Sequence, residues 1–153
     1  MNTILIREAQ VADAFEMMEL IKELAVFEKA AHEVTVEMDH FIESGFGEHP
    51  VWWAIVAEDL NSKKVVALAL YYIRYSTWKG QRMYLEDIVI SEQYRRKGIG
   101  TKLMDRLIEI AKEKKLSGMQ WQVLDWNQEA IDFYKKYSVK IDDEWLNVSK
   151  DLN

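Results

Sequence analysis

The fold is decided by one stretch of the chain, which reads Leu85-Glu86-Asp87-Ile88-Val89-Ile90, then Ser91-Glu92-Gln93-Tyr94, then Arg95-Arg96-Lys97-Gly98-Ile99-Gly100-Thr101-Lys102-Leu103-Met104. Its first part is apolar apart from two carboxylates, which is typical of a buried strand. A polar turn, three cations and two glycines follow, and the apolar residues after them keep helical spacing. The order is therefore a strand, a basic glycine-containing loop and a helix.

The beginning of this helix has the properties of an anion-binding site. The first amide N–H groups of a helix have no intrahelical partner, and the helix dipole attracts negative charge to that end. Gly98 and Gly100 let the backbone approach a ligand closely. The cations Arg95, Arg96 and Lys97 stand next to them. Together these features predict a site for a polyanion such as a pyrophosphate.

Two other phosphate-binding loops are excluded by spacing. The dinucleotide fingerprint needs a third glycine where this chain has Leu103. The P-loop needs a glycine where it has Arg95. The glycine pair at Gly98 and Gly100 therefore fits neither of these two loops.

The composition indicates one ordinary globular domain, expected to cover residues 1–153, with 49% hydrophobic and 30% charged residues. No apolar run approaches the roughly 18 residues of a membrane span, and no secretory pattern is seen, so a cytoplasmic protein without membrane contact is expected. The chain has no cysteine, and its three histidines lack metal-ligand spacing, so no metal site is expected. A net charge of −6 argues against a nucleic-acid partner and favours a cationic small molecule.

Hydrophobic periodicity predicts an α+β fold with a mixed central sheet flanked by helices. Strands are predicted at residues 3–7, 51–58, 65–73, 82–90 and 119–124, with one or two closing strands within 139–152. Helices are predicted at residues 13–27, 35–43, 98–115 and 128–137, the first with a capping box of Asp13 and Glu16 and the last capped by Asn127. Strands 82–90 and 119–124 should be parallel, and their carboxyl ends should mark the ligand site.

Two motifs resemble those of the GNAT N-acetyltransferase superfamily. Arg95, Gly98 and Gly100 match its acyl-CoA loop, Gln/Arg-x-x-Gly-x-Gly/Ala. Asn127, Ala130 and Tyr134 match its later motif, Asn-x-x-Ala-x-x-x-Tyr. The resemblance implies the GNAT fold, acetyl-CoA as co-substrate and Tyr134 as the acid that protonates the departing thiolate. The cofactor contacts that it implies are Ile88, Val89, Ile90, Arg95, Arg96, Lys97, Gly98, Ile99, Gly100, Thr101, Asn127, Ala130 and Tyr134.

A narrower resemblance involves residues 24–29, 45–50, 71–80 and 84–88. These stretches are similar to the diamine (spermidine/spermine) acetyltransferases and to their relatives that acetylate thialysine. The resemblance implies a homodimer that acts on a small cationic amine. Phe27 stands where the polyamine enzymes carry Tyr, and Ser138 replaces a glycine, so the choice among polyamine, diamine and thialysine-like acceptors is open.

The chemistry requires a proton acceptor, because an alkyl amine has a pKa of about 10 and must lose a proton. On a regular strand Glu86 and Asp87 point to opposite faces, so only one is expected in a given pocket. We expect Glu86 to be the base or to orient the amine, and Asp87 to support it or to bind a cation. Backbone N–H groups of residues 88–90 should stabilise the oxyanion. Without cysteine, direct transfer in a ternary complex is expected.

The acceptor pocket is expected to combine carboxylates with aromatic rings that favour cations. Its expected members are Phe27, Glu28, Trp78, Glu86, Asp87, Glu144 and Trp145. Two alternatives stay open. One is a protein or peptide N-terminal acetyltransferase, which needs an open peptide groove. The other is a non-catalytic CoA-binding regulator, in which Tyr134 and Glu86 carry no reaction.

Overall fold

The computed structural model describes residues 3–152. Its strands are β1 (Ile4–Glu8), β2 (Trp53–Asp59), β3 (Lys64–Ser76), β4 (Gly80–Ile90) and β5 (Met119–Trp121). Its helices are α1 (Ala14–Phe27), α2 (Met38–Phe46), α3 (Ile99–Glu113) and α4 (Gln128–Lys135). Short 3-10 turns lie at Val11–Asp13, Ala31–Glu33 and Glu92–Tyr94.

The strands form one mixed sheet in the order β1-β2-β3-β4-β5. Neighbours are antiparallel as far as β4, and β4 pairs with β5 in parallel, with α3 as the crossover. The predicted mixed α+β sheet and its parallel pair are therefore confirmed. The parallel register runs only from Met83 opposite Met119 to Leu85 opposite Trp121. Beyond Leu85, β5 no longer pairs with the edge of β4.

Helices cover both faces of the sheet. On one face, Met17 and Met18 of α1 and Phe41 of α2 pack with sheet residues such as Leu68 and Val89. The α3 helix buries a second apolar stripe, and the alternate sheet residues, such as Ile55 and Met83, are buried as well. Its buried residues are Ile99, Leu103, Met104, Leu107, Ile110 and Ala111. This double coverage explains why β2 and β3 read as nearly continuous apolar runs.

The α2 helix contains Gly45 because Trp52 packs directly against its backbone. A Cβ built on Gly45 would lie 2.1 Å from the Trp52 ring. The same indole stacks on Phe41 with the ring centroids 4.8 Å apart. A helix former at position 45 would therefore push this buried ring out of the core.

The described chain divides into two compact units between Gln122 and Val123. The first unit holds the five strands and α1 to α3, and the second holds α4 and the segment that follows it. The single domain expected from the sequence stays a prediction. Between residues 3 and 152, no helix is both long and apolar enough to cross a membrane.

The capping box predicted at Asp13 is wrong, although α1 does follow Asp13. The Asp13 carboxylate accepts hydrogen bonds from the Arg7 guanidinium at 2.8 and 3.0 Å and from the Gln10 N–H at 2.7 Å. Glu16, the other partner, accepts instead from the Val65 N–H at 2.9 Å. Because both carboxylates bind groups of other elements, neither of them caps the start of α1.

The predicted closing strands are also wrong for the described residues, since no strand lies within 139–152. Backbone groups of a strand must pair with another strand, and the sheet of the described residues consists of β1 to β5. Its apolar side chains Leu146, Val148 and Leu152 are exposed. The other predicted elements are present, and their ends differ from the predicted ones by at most three residues, as in α2, which begins at Met38 rather than at Thr35.

Candidate active site

A cavity of about 270 Å³ opens between α1, the 3-10 turn after it and β4. Its carboxylates come from three elements, namely Glu28 beside the end of α1, Glu33 of the turn, and Glu86 and Asp87 of β4. The rest of its wall is apolar and consists of Ile21, Leu24, Ala25, Ala30 and Val34. No lysine or arginine of the described chain lines it. The cavity therefore has the charge and the apolar wall that suit an alkyl ammonium group.

The expectation that Glu86 and Asp87 point to opposite faces is wrong, because β4 contains a β-bulge. Leu70 of β3 pairs with Asp87, and the next residue, Tyr71, pairs with Leu85. Glu86 is therefore an extra residue without a partner, and the alternation of β4 changes phase there. The bulge brings both carboxylates to the same cavity.

The electrostatics of the cavity follow from this crowding. Burial, and then the charges of Glu86 and Glu28, raise the pKa of Asp87 to about 6. Burial also raises the pKa of Glu28 above its usual value. Glu86 is more exposed, and its Oε1 accepts a hydrogen bond of 3.2 Å from the Tyr72 hydroxyl. A positive ligand would relieve the repulsion within this group.

The edge of β4 beyond Leu85 presents backbone amides. Antiparallel pairs alternate between hydrogen-bonded and non-hydrogen-bonded positions. The Ser91 N–H donates to the Val66 carbonyl at 2.8 Å, which fixes that pair as hydrogen-bonded. By this alternation, the Val89 N–H points toward β3. The N–H groups of Ile88 and Ile90 point to the opposite edge of β4, which β5 leaves unpaired. Of the predicted amides, two are thus available to an acyl oxygen.

The predicted phosphate loop leads into α3 as expected. Gly98 is the N-cap residue in the left-handed conformation, with φ of 82°, and no side chain caps the helix. The first intrahelical bond runs from the Lys102 N–H to the Gly98 carbonyl, so the amides of Ile99, Gly100 and Thr101 have no intrahelical acceptor. A Cβ on Gly98 would meet no atom within 4 Å, so the space before the helix is open.

The three cations of the loop have different surroundings. Arg95 is tied back to the body of the first unit, with its Nε donating to the Ile90 carbonyl at 3.0 Å and its guanidinium 5.8 Å from the Phe27 ring. The Lys97 ammonium lies 5.5 Å from the Tyr94 ring. Arg96 is exposed and has a positive φ of 62°. Arg95 therefore braces the loop against β4 and α1 as well as adding charge.

The predicted aromatic residues lie outside the cavity wall. The Phe27 ring packs against the Arg95 guanidinium. Trp78 is 84% exposed on the loop between β3 and β4. Glu144 and Trp145 belong to the second unit, and Trp145 is 76% exposed. Of the expected acceptor-site residues, the structure brings together Glu28, Glu86 and Asp87.

The second unit carries the other predicted motif on α4. The Asn127 side chain caps this helix, accepting a hydrogen bond of 3.2 Å from the Ala130 N–H, as predicted. Tyr134 is buried, and its ring meets the Phe133 ring edge-on at 5.6 Å. The motif spacing is thus explained by a cap and an aromatic residue two turns later on one short helix.

Sequence reasoning missed two functional candidates. Glu33 lies on a connection between helices, where nothing distinguishes an acidic cavity residue from a solvated one. Tyr72 offered a signal, since it places a hydroxyl in a strand of otherwise apolar character. Its partner Glu86 could not be named without the register. Within residues 3–152, no cluster of metal-ligating side chains suits a metal ion.

Sequence comparison finds related acetyltransferases. The acetyltransferase (GNAT) family matches residues 15–138. Thialysine N-epsilon-acetyltransferase of Mus musculus is 43% identical over 136 residues, which are 85% of this chain and 80% of that protein. Spermidine/spermine N(1)-acetyltransferase-like protein 1 of Homo sapiens is 34% identical over 84% of this chain and 19% of that much longer protein.

Solved structures of other proteins have a similar fold. The crystal structure of a possible acetyltransferase from Clostridium difficile 630 superposes with a TM-score of 0.78 at 22% identity, covering 98% of this chain and 99% of that one. At that identity the likeness concerns the fold alone. The predicted GNAT fold and the predicted enzyme class, an N-acetyltransferase, are both confirmed by these relatives. The chain with the carboxylate cavity and the glycine loop belongs to the acetyltransferase (GNAT) family.

Proposed function

We propose that the protein transfers the acetyl group of acetyl-CoA to a small cationic amine by direct attack in a ternary complex. The observation that carries the proposal is the cavity that places Glu28, Glu33, Glu86 and Asp87 together without a basic residue. Such a site attracts ammonium groups and repels anions. The apolar side chains of Ile21, Leu24 and Val34 would hold the methylene chain of the acceptor.

The named relatives support a cationic acceptor. Thialysine carries a side-chain amine beside its amino-acid ammonium group, and spermidine and spermine are polycations. The relatives named for these substrates match this chain over more than four fifths of its length. Because Phe27 holds Arg95 rather than lining the cavity, we propose a relaxed choice among thialysine-like amines, diamines and spermidine.

The chain has a fitting site for acetyl-CoA, which would supply the acetyl group as a thioester. The uncapped start of α3, with open space before Gly98, suits the pyrophosphate. The edge amides of Ile88 and Ile90 would stabilise the oxyanion. From the family motif, Asn127 and Ala130 would contact the CoA arm.

The remaining roles fall to side chains. Glu86, held by Tyr72, would orient the acceptor ammonium. Tyr134 would give its proton to the departing thiolate, since phenols stay protonated at neutral pH. The chain has no cysteine to form a thioester intermediate. The homodimer and the cytoplasmic location expected from the sequence remain predictions.

The first prediction compares acceptors. Thialysine, spermidine and a diamine should each have a kcat/KM about tenfold or more above that of a neutral alkyl monoamine, because each desolvated cation contact contributes about 1–2 kcal/mol. Initial rates with acetyl-CoA measure this. Glu28→Gln should reduce the preference, and Asp39→Asn, an exposed substitution on α2, is the matched control.

The same assay tests the alternatives. If the neutral amine matched the polycations, the cationic cavity would not select the acceptor. If only peptide N-termini were acetylated, the chain would be a peptide acetyltransferase, and CoA binding without turnover on any acceptor would indicate a regulator. Each of these results would overturn the proposal.

A further inference from the structure

The bulge at Glu86 creates an arrangement that a regular strand cannot have. Two consecutive carboxylates of one strand face one cavity, and Glu28 faces them from beside the end of α1. Three like charges in a half-buried space are stable only if a cation or a proton joins them. The three carboxylates can therefore have different roles, one binding a proton while the others keep their charge.

The Glu86 side chain is held in place by a hydrogen bond. The Tyr72 hydroxyl donates to its Oε1, and the Tyr72 ring is itself fixed by stacking on Tyr84 with the centroids 5.2 Å apart. Burial, and then the nearby Glu86 charge, raise the pKa of Tyr72 to about 12, so this hydroxyl stays a donor throughout any ordinary assay range. A carboxylate that accepts such a bond is suited to anchoring an ammonium group.

Asp87 has different surroundings. No hydrogen bond or ion pair from the described residues reaches its carboxylate. The titratable groups that face it are Glu86 from its own strand, Glu28 from beside α1 and Glu33 from the turn, and its other neighbours in the cavity are apolar. Its side chain is thus the least solvated acid of the group, and its pKa of about 6 agrees with this position.

We propose that Asp87, rather than Glu86, accepts the proton of the acceptor amine, while Glu86 and Glu28 hold the ammonium group in place. In this step an N–H proton of the ammonium passes to a carboxylate oxygen of Asp87, and the nitrogen lone pair forms the new bond to the acyl carbon. The C–S bond then breaks, Tyr134 protonates the departing thiolate, and the nitrogen gives up its second proton to solvent. Solvent reprotonates Tyr134, and Asp87 later releases the first proton to water. The inference rests on the proposed function.

The physical reason for this division is the strength of the base. A general base is most effective when its pKa lies close to the working pH. Ordinary carboxylates titrate near pH 4. Asp87, with a pKa of about 6, is a stronger base than an ordinary carboxylate yet is still ionised at neutral pH. Burial is the largest cause of this raised pKa, and the charges of Glu86 and Glu28 add to it because both disfavour the ionised form of Asp87.

The test is the pH dependence of kcat/KM with one cationic amine, so that the ionisation of the amine is common to all variants. The wild-type protein should show an acid limb near pH 6, where Asp87 becomes protonated. Asp87→Asn should remove this limb and lower kcat about a hundredfold or more. Glu86→Gln and Glu28→Gln should keep the limb but move it to lower pH, because removing a neighbouring negative charge favours ionised Asp87.

The opposite assignment gives the opposite pattern. If Glu86→Gln removed the limb and Asp87→Asn only shifted it, Glu86 would be the base and the inference would be wrong. The exposed substitution Asp39→Asn is the matched control and should leave the profile unchanged.

A second readout needs neither acetyl-CoA nor turnover. Carbon-13 NMR of the side-chain carboxyl groups should show one aspartate that titrates near pH 6, is lost in Asp87→Asn and moves to lower pH in Glu86→Gln. A signal from Asp87 that titrates near pH 4 would overturn the inference even if the enzyme acetylates amines. If the wild-type protein acetylated no amine at all, the proposed function would fail, and the proton-acceptor role would fail with it.

Discussion

Side chains of one type take different roles in this protein according to what surrounds them. Glu86 is fixed by a tyrosine hydroxyl, Asp87 is left in an apolar wall, and Asp13 is neutralised by an arginine. The residue type fixes the chemistry that is available, and the neighbours decide which part of it is used.

Tyr134 and Tyr137 form a matched pair for testing the proposed acid. Both rings meet Phe133 edge-on with centroids 5.6 Å apart. Tyr134→Phe keeps the ring and removes the proton donor, so kcat should fall roughly a hundredfold, with little change in the affinity for acetyl-CoA. Tyr137→Phe should leave both quantities unchanged. Steady-state kinetics and calorimetry measure them, and full turnover by Tyr134→Phe would show that its hydroxyl is not the acid.

At this scale the sequence predicted which carboxylates come together better than it predicted where they point. Glu28, Glu86 and Asp87 were expected in the acceptor site, and the cavity contains all three. The direction of Asp87 could not be predicted, because it depends on the register between β3 and β4, which is a contact between distant parts of the chain. The position of Phe27 likewise depends on a contact between distant parts of the chain, because its ring packs against the Arg95 guanidinium rather than in the cavity wall.

Among the elements, the crossover from β4 through α3 to β5 is the most predictable, because all its signals are local. Hydrophobic period, cations and glycines lie within a few residues of each other. The capping of α1 failed because Arg7, from another element, binds Asp13. The prediction of closing strands is wrong because a hydrophobic pattern alone does not form a strand without a partner for its backbone.

The start of α3 carries the next prediction. Gly98→Asp should weaken CoA binding more than tenfold beyond the effect of Gly98→Asn. Asp and Asn have the same shape, and both adopt the left-handed conformation more readily than most residues. Only Asp places a negative charge at the uncapped amides of α3. Like-charge contact with a pyrophosphate costs several kcal/mol.

Calorimetry of the folded variants with CoA provides the measurement, and circular dichroism checks that both variants keep the fold. Affinities of both variants equal to that of the wild-type protein would mean that the phosphates lie elsewhere. A comparable loss in both variants would attribute the effect to backbone strain at φ of 82° rather than to charge.

For the molecule as a whole, one ion-pair group joins three elements of the first unit. Arg7 of β1 binds Asp13, which precedes α1, at 2.8 Å, and Glu58 of β2, also at 2.8 Å. The Asp13 side chain is almost fully buried, whereas Arg7 is 23% exposed. This group fixes the start of α1 against the edge of the sheet, and α1 in turn forms one wall of the carboxylate cavity.

The pH dependence of stability tests this group. Burial alone would raise the pKa of Asp13, but the hydrogen bonds from Arg7 and from the Gln10 N–H outweigh it and lower the pKa below its ordinary value. A depressed pKa contributes stability that is present above about pH 4 and is lost as the pH falls through the folded-state value. The free energy of unfolding of the wild-type protein should therefore decrease in this acidic range.

Arg7→Gln should lower the free energy of unfolding by about 3 kcal/mol at pH 7, because it leaves Asp13 buried without a cation. Protonation of Asp13 removes this penalty, so the gap between variant and wild type should shrink below about pH 4. Glu58→Gln is the matched control, since it keeps the Arg7–Asp13 pair and should cost much less. Urea unfolding at several pH values measures both gaps. A gap for Arg7→Gln that stays constant from neutral to acidic pH would show that packing of the Arg7 side chain, and not its pairing with Asp13, stabilises the unit.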